Sequence, residues 1–94
     1  MNRTEHLLTI LSEECAEVAQ RNSKAIRFTL EETQPGQPLT NAERIQYEFG
    51  DLIATYEILI EQGLLEWPSQ TAIFLKKAKI EKFLEYSQQR GTLE

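Results

Sequence analysis

The hydrophobic positions of this chain recur every three or four residues in three separate segments, the spacing that keeps side chains on one face of an α-helix. The first segment runs from about Thr4 to Leu30, the second begins after Thr40 and ends before Gly63, and the third ends at Gly91. The sequence therefore predicts three long amphipathic helices. The recurring positions are Leu8, Leu11, Cys15 and Val18, then Ile45, Phe49, Leu52, Tyr56 and Leu59, then Ile73, Lys76, Ile80 and Phe83.

Local signals place the ends of these helices. Asn2 with Glu5, and Thr40 with Glu43, have the spacing of a capping box, in which a side chain at the helix start and the residue three positions later bond to each other's backbone. The stretch 31–39 contains the string TQPGQP, with two of the three prolines, and is predicted to be a loop.

The first helix is long for so small a chain. About 27 residues would span about 40 Å, so we expect it to bend or break near Asn22 and Ser23. Composition supports helices throughout, because twelve leucines accompany a single valine, and fourteen of the fifteen acids are glutamate. The one aspartate, Asp51, falls inside the second helix, where a shorter carboxylate is unusual.

The size of the chain suggests how these helices pack. Its 94 residues, 40% of them hydrophobic, are expected to form one domain, 1–94. A chain this short buries a modest share of its surface alone, and three helices do not close a four-helix bundle. We therefore expect an all-α fold, a bundle of three long helices per chain completed by dimerisation into four-helix-bundle-type packing, in a homodimer or tetramer.

Charge and cysteine content exclude several function classes. A net charge of −5 argues against binding to nucleic acid polymers, which requires the neutralisation of many phosphates. No segment approaches the roughly 18 apolar residues of a membrane span. The N-terminal stretch lacks the layout of a signal peptide, and the single Cys15 has no partner for a disulfide. The expected location is cytoplasmic.

Two pairs of acids lie at the margins of packing faces. At 100° per residue, Glu14 and Glu17 fall about 60° and 120° from Leu11 on one flank of the first helix. Glu48 and Asp51 fall about 40° and 100° from Leu52 on the second. Packing these faces together would bring four carboxylates toward one point.

Such a cluster requires a cation, because like charges 4 Å apart repel by about 4 kcal/mol even at an effective dielectric of 20. Oxygen ligands without histidine or paired cysteine favour Mg²⁺, with Mn²⁺ as a substitute. A di-iron site would need a Glu-x-x-His motif, and the only histidine, His6, has no glutamate three residues before it. Cys15 is expected to be a small buried hydrophobic residue and His6 a surface residue.

The string Glu13-Glu14-Cys15-Ala16-Glu17, followed by Glu48-Phe49-Gly50-Asp51, resembles the EExxE…ExxD signature of the MazG-like, all-α nucleoside triphosphate pyrophosphohydrolases. The resemblance covers two helical motifs in order, the loop between them and a lysine-rich third helix. It implies a Mg²⁺-dependent enzyme that cleaves nucleoside triphosphates between the α and β phosphates, releasing a monophosphate and pyrophosphate.

The resemblance also implies roles for individual residues. Glu14, Glu17, Glu48 and Asp51 correspond to the magnesium ligands of the family. Glu13 corresponds to an acid that assists a further metal or the attacking water, so that the catalytic set is Glu13, Glu14 and Glu48.

Positive side chains are needed to neutralise the outgoing phosphates. The third helix carries four lysines within seven residues, of which the neighbours Lys79 and Lys82 are the first candidates; Arg21, Lys24 and Arg27 follow the first motif.

The contacts to the base and the choice between an enzyme and a binding module stay open. The loop TQPGQP departs from the common family pattern, in which a short helix is found there, and this leaves the contacts to the base undefined. Phe28, Tyr47 and Trp67 could stack on a base, although each is expected to lie in the core. The alternative function is a non-catalytic helical interaction module that retains the acidic metal site.

Overall fold

Side-chain caps begin each of three helices in the computed structural model, which describes all 94 residues, Met1 to Glu94. Helix α1 spans Arg3–Phe28, α2 spans Asn41–Glu61 and α3 spans Gln70–Arg90. No strand is present, and an isolated antiparallel bridge joins Thr33 to Thr40 in the loop. The prediction of an all-α chain with three long helices is confirmed.

The predicted boundaries are close to the observed ones because the capping chemistry is local. Thr40 and Glu43 form both bonds of the capping box, whereas Asn2 accepts from the Glu5 N–H at 2.8 Å without the reciprocal bond. Gly63 and Gly91 follow α2 and α3 with positive φ angles of 73° and 82°, a left-handed conformation that favours glycine.

Helices α1 and α2 form an antiparallel hairpin. The less exposed positions repeat at intervals of three and four residues on both helices, as in a coiled-coil seam. At the end of the hairpin away from the loop, the side chain of Arg3 at the start of α1 lies 2.7 Å from that of Gln62 after α2. On α1 the seam positions are Thr4, Leu7, Leu11, Glu14, Val18, Arg21 and Ala25; on α2 they are Asn41, Ile45, Glu48, Leu52, Thr55 and Leu59.

The predicted break in α1 and the predicted packing face of α1 are both wrong. The helix continues through Asn22 and Ser23 without a break, since the seam continues to Ala25 and keeps this part of the helix packed on α2. The packing face is also displaced, because Leu7 is buried whereas Leu8 is 45% exposed and Cys15 is exposed. Because the packing face runs through Leu7 and Leu11, the next residue on it is Glu14 and not Cys15.

Helix α3 packs against neither α1 nor α2. None of its residues is buried, so the three helices do not form one bundle within a chain. Leu7 and Leu59, at 8% and 0% exposed, are the only buried hydrophobic side chains. Dimerisation and four-helix packing remain predictions. No helix has the length and apolar character that would allow it to cross a membrane.

Asn41 fixes the loop between α1 and α2 to the start of α2. Its side chain is 2% exposed and donates to the Thr29 carbonyl oxygen at 2.8 Å and to the Glu32 carboxylate at 3.2 Å. Arg44 donates to the side chain of Gln34 at 2.9 Å. The loop is thus held by hydrogen bonds and contains no helix, as predicted.

Candidate metal site

Three glutamates from two helices meet in the middle of the α1–α2 seam. Glu14 and Glu17 come from α1 and Glu48 from α2, and each offers one carboxylate oxygen so that the three oxygens lie within 4.8 Å of one another. The antiparallel packing brings them together, because Glu14 and Glu48 occupy seam positions on facing helices. The structure therefore assembles three of the four predicted metal ligands.

Two oxygens of this cluster are shielded from solvent and lack a hydrogen-bond partner. They are Oε2 of Glu14 and Oε2 of Glu48. A shielded polar atom without a partner loses its hydration and gains nothing in return, which disfavours the folded state. These two oxygen atoms could therefore each donate a lone pair to a bound cation.

The cluster also raises the pKa of two of its carboxyl groups. Burial is the main cause for Glu14, followed by the negative charges of Glu17 and Asp51. For Glu48 the main cause that raises the pKa is Glu17, which can accept a hydrogen bond from the protonated form of Glu48, followed by burial and the charges of Glu17 and Asp51. In both cases the surroundings disfavour the ionised carboxylate, as expected for acids grouped without a cation.

Arg21 provides the only ion pair in the protein. Its Nε atom lies 3.8 Å from Oε1 of Glu48, and both side chains are about one-fifth exposed. The guanidinium lowers the pKa of Glu48, against the causes that raise it. One positive charge faces three carboxylates, so the cluster keeps an excess of negative charge.

Asp51 lies beside the cluster without joining it. It is exposed, and with Gln46, Tyr47 and Gly50 it lines a shallow surface cavity next to the seam. Its charge nevertheless contributes to the raised pKa values of Glu14 and Glu48. The predicted four-acid site is thus a three-glutamate cluster with the aspartate at its edge.

The other predicted site residues fall into two groups. Glu13 is exposed and Lys24 half-buried, both on α1. Lys79 and Lys82 lie on α3, which the fold does not bring to the acids of its own chain. Lys79 Nζ instead lies 5.8 Å from the centre of the Phe83 ring.

An apolar groove of about 310 Å³ lies beside the acids, and the sequence pattern did not predict it. Residues that flank Glu14 along α1 and Asp51 along α2 line it, and so do Tyr56 and Trp67, whose ring centres are 5.1 Å apart. The Tyr56 hydroxyl donates to the Glu66 carbonyl oxygen at 2.7 Å and so holds the turn before α3. The lining residues are Leu11, Cys15, Phe49, Leu52, Ile53, Tyr56, Trp67 and Pro68.

Four residues that were expected in the core are exposed, and two of them, Cys15 and Trp67, line this groove. Cys15 is exposed because it lines an open groove, and Trp67 is 54% exposed at the groove's rim. Phe28 and Tyr47 are 41% and 66% exposed. Their apolar surface has no covering helix within the chain. His6 is exposed, as predicted.

The donor set suits a hard divalent cation. Three carboxylates, two with shielded free oxygens, match the ligands that Mg²⁺ and Mn²⁺ prefer, and no histidine or thiol belongs to the cluster. Comparison with known protein families, with curated proteins and with solved structures finds no significant match to this chain. The family resemblance therefore depends on the EExxE and ExxD residues alone.

Proposed function

We propose that this protein is a Mg²⁺-dependent hydrolase that cleaves nucleoside triphosphates between the α and β phosphates. The observation that carries the proposal is the pair of shielded, unpartnered oxygens of Glu14 and Glu48 inside the three-glutamate cluster. Two facing helices place them where a divalent cation would relieve the repulsion. The substrate class comes from the resemblance of the two motifs to the MazG-like family.

The residues that would hold Mg²⁺ are Glu14, Glu17 and Glu48, with Asp51 at the edge of the cluster. When bound, Mg²⁺ supplies Lewis-acid polarisation of a phosphoryl oxygen and an activated water as nucleophile. Mn²⁺ has similar ligand preferences and is the expected substitute.

The chain's own side chains would position the substrate. Arg21 and Lys24, which lie on α1 within one turn of each other and beyond Glu17 along the helix, would bind phosphate oxygens. Glu13, exposed next to Glu14, would accept a proton from the attacking water or assist a further metal. Lys79 and Lys82 could contribute only from a second copy, because α3 packs on neither helix of its own chain.

The decisive experiment identifies the products by phosphorus NMR. A nucleoside triphosphate incubated with the protein and Mg²⁺ should give monophosphate and pyrophosphate in equal amounts. The Glu48→Gln variant should lose this activity while keeping its helix content, since the amide retains the volume and loses the charge. Glu57→Gln is the matched control, as Glu57 is an exposed glutamate on the opposite side of α2. Nucleoside diphosphate and orthophosphate as first products would contradict the proposal.

The exposed apolar surface of α3 favours a second candidate, a helical interaction module that binds metal without turnover. The same experiment separates the two candidates. A module would bind Mg²⁺ at the glutamates, detectable by calorimetry, and leave the nucleoside triphosphate unchanged.

A further inference from the structure

The chain exposes more surface than a folded monomer of its size. Its accessible surface is 7477 Å², whereas a monomer of 10.9 kDa exposes about 5,600 Å² by the usual scaling with mass. The radius of gyration is 16.8 Å, against about 12.4 Å for a compact domain of this length. About 1,900 Å² per chain is therefore surface that a single-chain fold would ordinarily bury.

Much of the apolar part of this surface is continuous. On α3, Ile73, Ile80 and Leu84 lie within about 20° of one line along the helix. Ile73 shares a shallow cavity with Pro68, and Pro68 also lines the apolar groove beside the acids. The groove and this side of α3 thus form one apolar surface joined at Pro68.

The two parts of this surface carry opposite charge. Residues 70–94 contain five basic and three acidic residues, whereas residues 1–69 contain five basic and twelve acidic residues. A positively charged helix and a negatively charged hairpin attract each other, and complementary charge selects the partner and its orientation.

We propose that the apolar groove of each chain is occupied by α3 of a second copy, in a reciprocal homodimer. Two-fold symmetry makes the contact self-complementary, because each copy offers one groove and one helix. The excess of about 1,900 Å² per chain corresponds to about 3,800 Å² in total, within the range of obligate homodimers. A flexible peptide or an isolated ligand would cover much less of this surface.

The docked orientation determines which lysines reach the acids. With Ile73 and Ile80 in the groove, Lys76 and Lys77 lie about 60° and 40° to either side, facing the groove's rims, whereas Lys79 and Lys82 point away. Leu11 and Cys15 bracket Glu14 along α1, so a lysine at the rim of the groove lies beside the acid cluster. A phosphate-binding role for Lys76 and Lys77 depends on the proposed function, whereas the docking does not.

Cysteine cross-linking tests the docking without reference to activity, because Cys15 is the only cysteine and is exposed in the groove. Wild-type protein is mixed with Cys15→Ser protein that carries a second change, Ile73→Cys, Ile80→Cys or Leu84→Cys, and both are oxidised with diamide. At least one of the three should form a disulfide between the two kinds of chain. Ala78→Cys in the Cys15→Ser background is the matched control, since Ala78 lies about 140° from Ile73.

The native mass provides a second, independent measurement. Light scattering of the wild-type protein at micromolar concentration should give twice the chain mass of 10.9 kDa. A monomer mass, cross-linking through Ala78→Cys as efficient as through the three apolar positions, or linkage of Cys15 to Cys15 alone would overturn the proposal. Circular dichroism of each variant confirms that its helices are retained before the result is counted.

Discussion

The substitution Glu48→Gln separates the charge of this carboxylate from its volume. Glu48 lies in the seam, has a carboxylate oxygen within 4.8 Å of one from Glu17, and forms an ion pair with Arg21. In the metal-free protein at pH 7 the variant should be more stable than the wild type, because one of three grouped negative charges is removed. With Mg²⁺ the order should reverse, since only the wild type keeps the full set of ligands.

The size of the effect follows from the distances. Two carboxylates 4.8 Å apart repel by about 3.5 kcal/mol at an effective dielectric of 20 and by about 0.9 kcal/mol in water. Glu48 is partly exposed, so its repulsion with Glu17 should lie near the lower end, at about 1 to 2 kcal/mol. The ion pair with Arg21 offsets up to about 1 kcal/mol of this. We expect a net gain of about 1 kcal/mol, or about 4 to 8 °C in Tm.

The pH dependence has a definite sign. A pKa raised by folding means that the folded protein holds the Glu48 proton more tightly than the unfolded chain does. This contribution to stability is fully present below the ordinary glutamate pKa and is lost as the pH rises through the raised value. The advantage of Glu48→Gln over the wild type should therefore be small near pH 4 and largest at neutral pH.

Thermal unfolding followed by circular dichroism at 222 nm measures these effects. Protein concentration is kept fixed, because the Tm of an oligomer depends on it. Mg²⁺ at 100 times its Kd should stabilise the wild type by about 2.7 kcal/mol and leave Glu48→Gln unchanged. Glu57→Gln, an exposed site on α2, should behave as wild type. If Glu48→Gln lowers the metal-free Tm at pH 7, the glutamates are not mutually destabilising and the argument for a cation site fails.

Three further predictions concern the fold. Leu59→Ala should destabilise the protein by about 2 to 5 kcal/mol in urea unfolding, because Leu59 is fully buried, whereas Leu64→Ala at a 44% exposed position should have little effect. Asn41→Ala should cost about 1 to 3 kcal/mol by leaving the Thr29 carbonyl unpaired, a loss that hydrogen exchange would locate in the loop. Thr40→Ala should cost about 1 kcal/mol. The backbone N–H and the hydroxyl of Thr40 both donate to the Glu43 carboxylate and lower its pKa, and alanine removes only the hydroxyl bond. The part of the difference in Tm that comes from this hydroxyl should shrink as the pH falls through the lowered pKa.

The helices and their ends could be predicted because their causes are local. The capping residue Thr40 and the glycines after α2 and α3 act within one helical turn. The acid pairs could be located for the same reason, since spacing alone places Glu14 with Glu17 on one flank.

The packing face of α1 could not be predicted from the pattern of apolar residues. Leu7 and Leu8 are equally hydrophobic, so hydrophobicity does not decide which of them faces α2. At the next seam position the apolar pattern predicts Cys15, in preference to Glu14. The structure chooses Glu14. The position of α3 could not be predicted from the sequence either. An amphipathic pattern shows that the apolar face of a helix needs a packing partner, but it does not show whether that partner belongs to the same chain or to another.

This failure of the hydrophobic pattern is informative about function. A two-helix seam is most stable with apolar residues throughout, yet the middle of this one holds Glu14, Arg21 and Glu48. Replacing a partly buried charged group with a well-packed apolar residue is often neutral or stabilising, so stability gives no reason for charges at these positions. Local rules are broken most often where a site requires it. Here Glu14 lies between Leu11 and Val18 in the seam, Glu48 lies between Ile45 and Leu52, and it is in this pair of glutamates that two shielded oxygens lack a partner. A cation bound by Glu14 and Glu48 would link the two helices where the seam is otherwise least stable. Binding of Mg²⁺ and stability of the hairpin should therefore rise together.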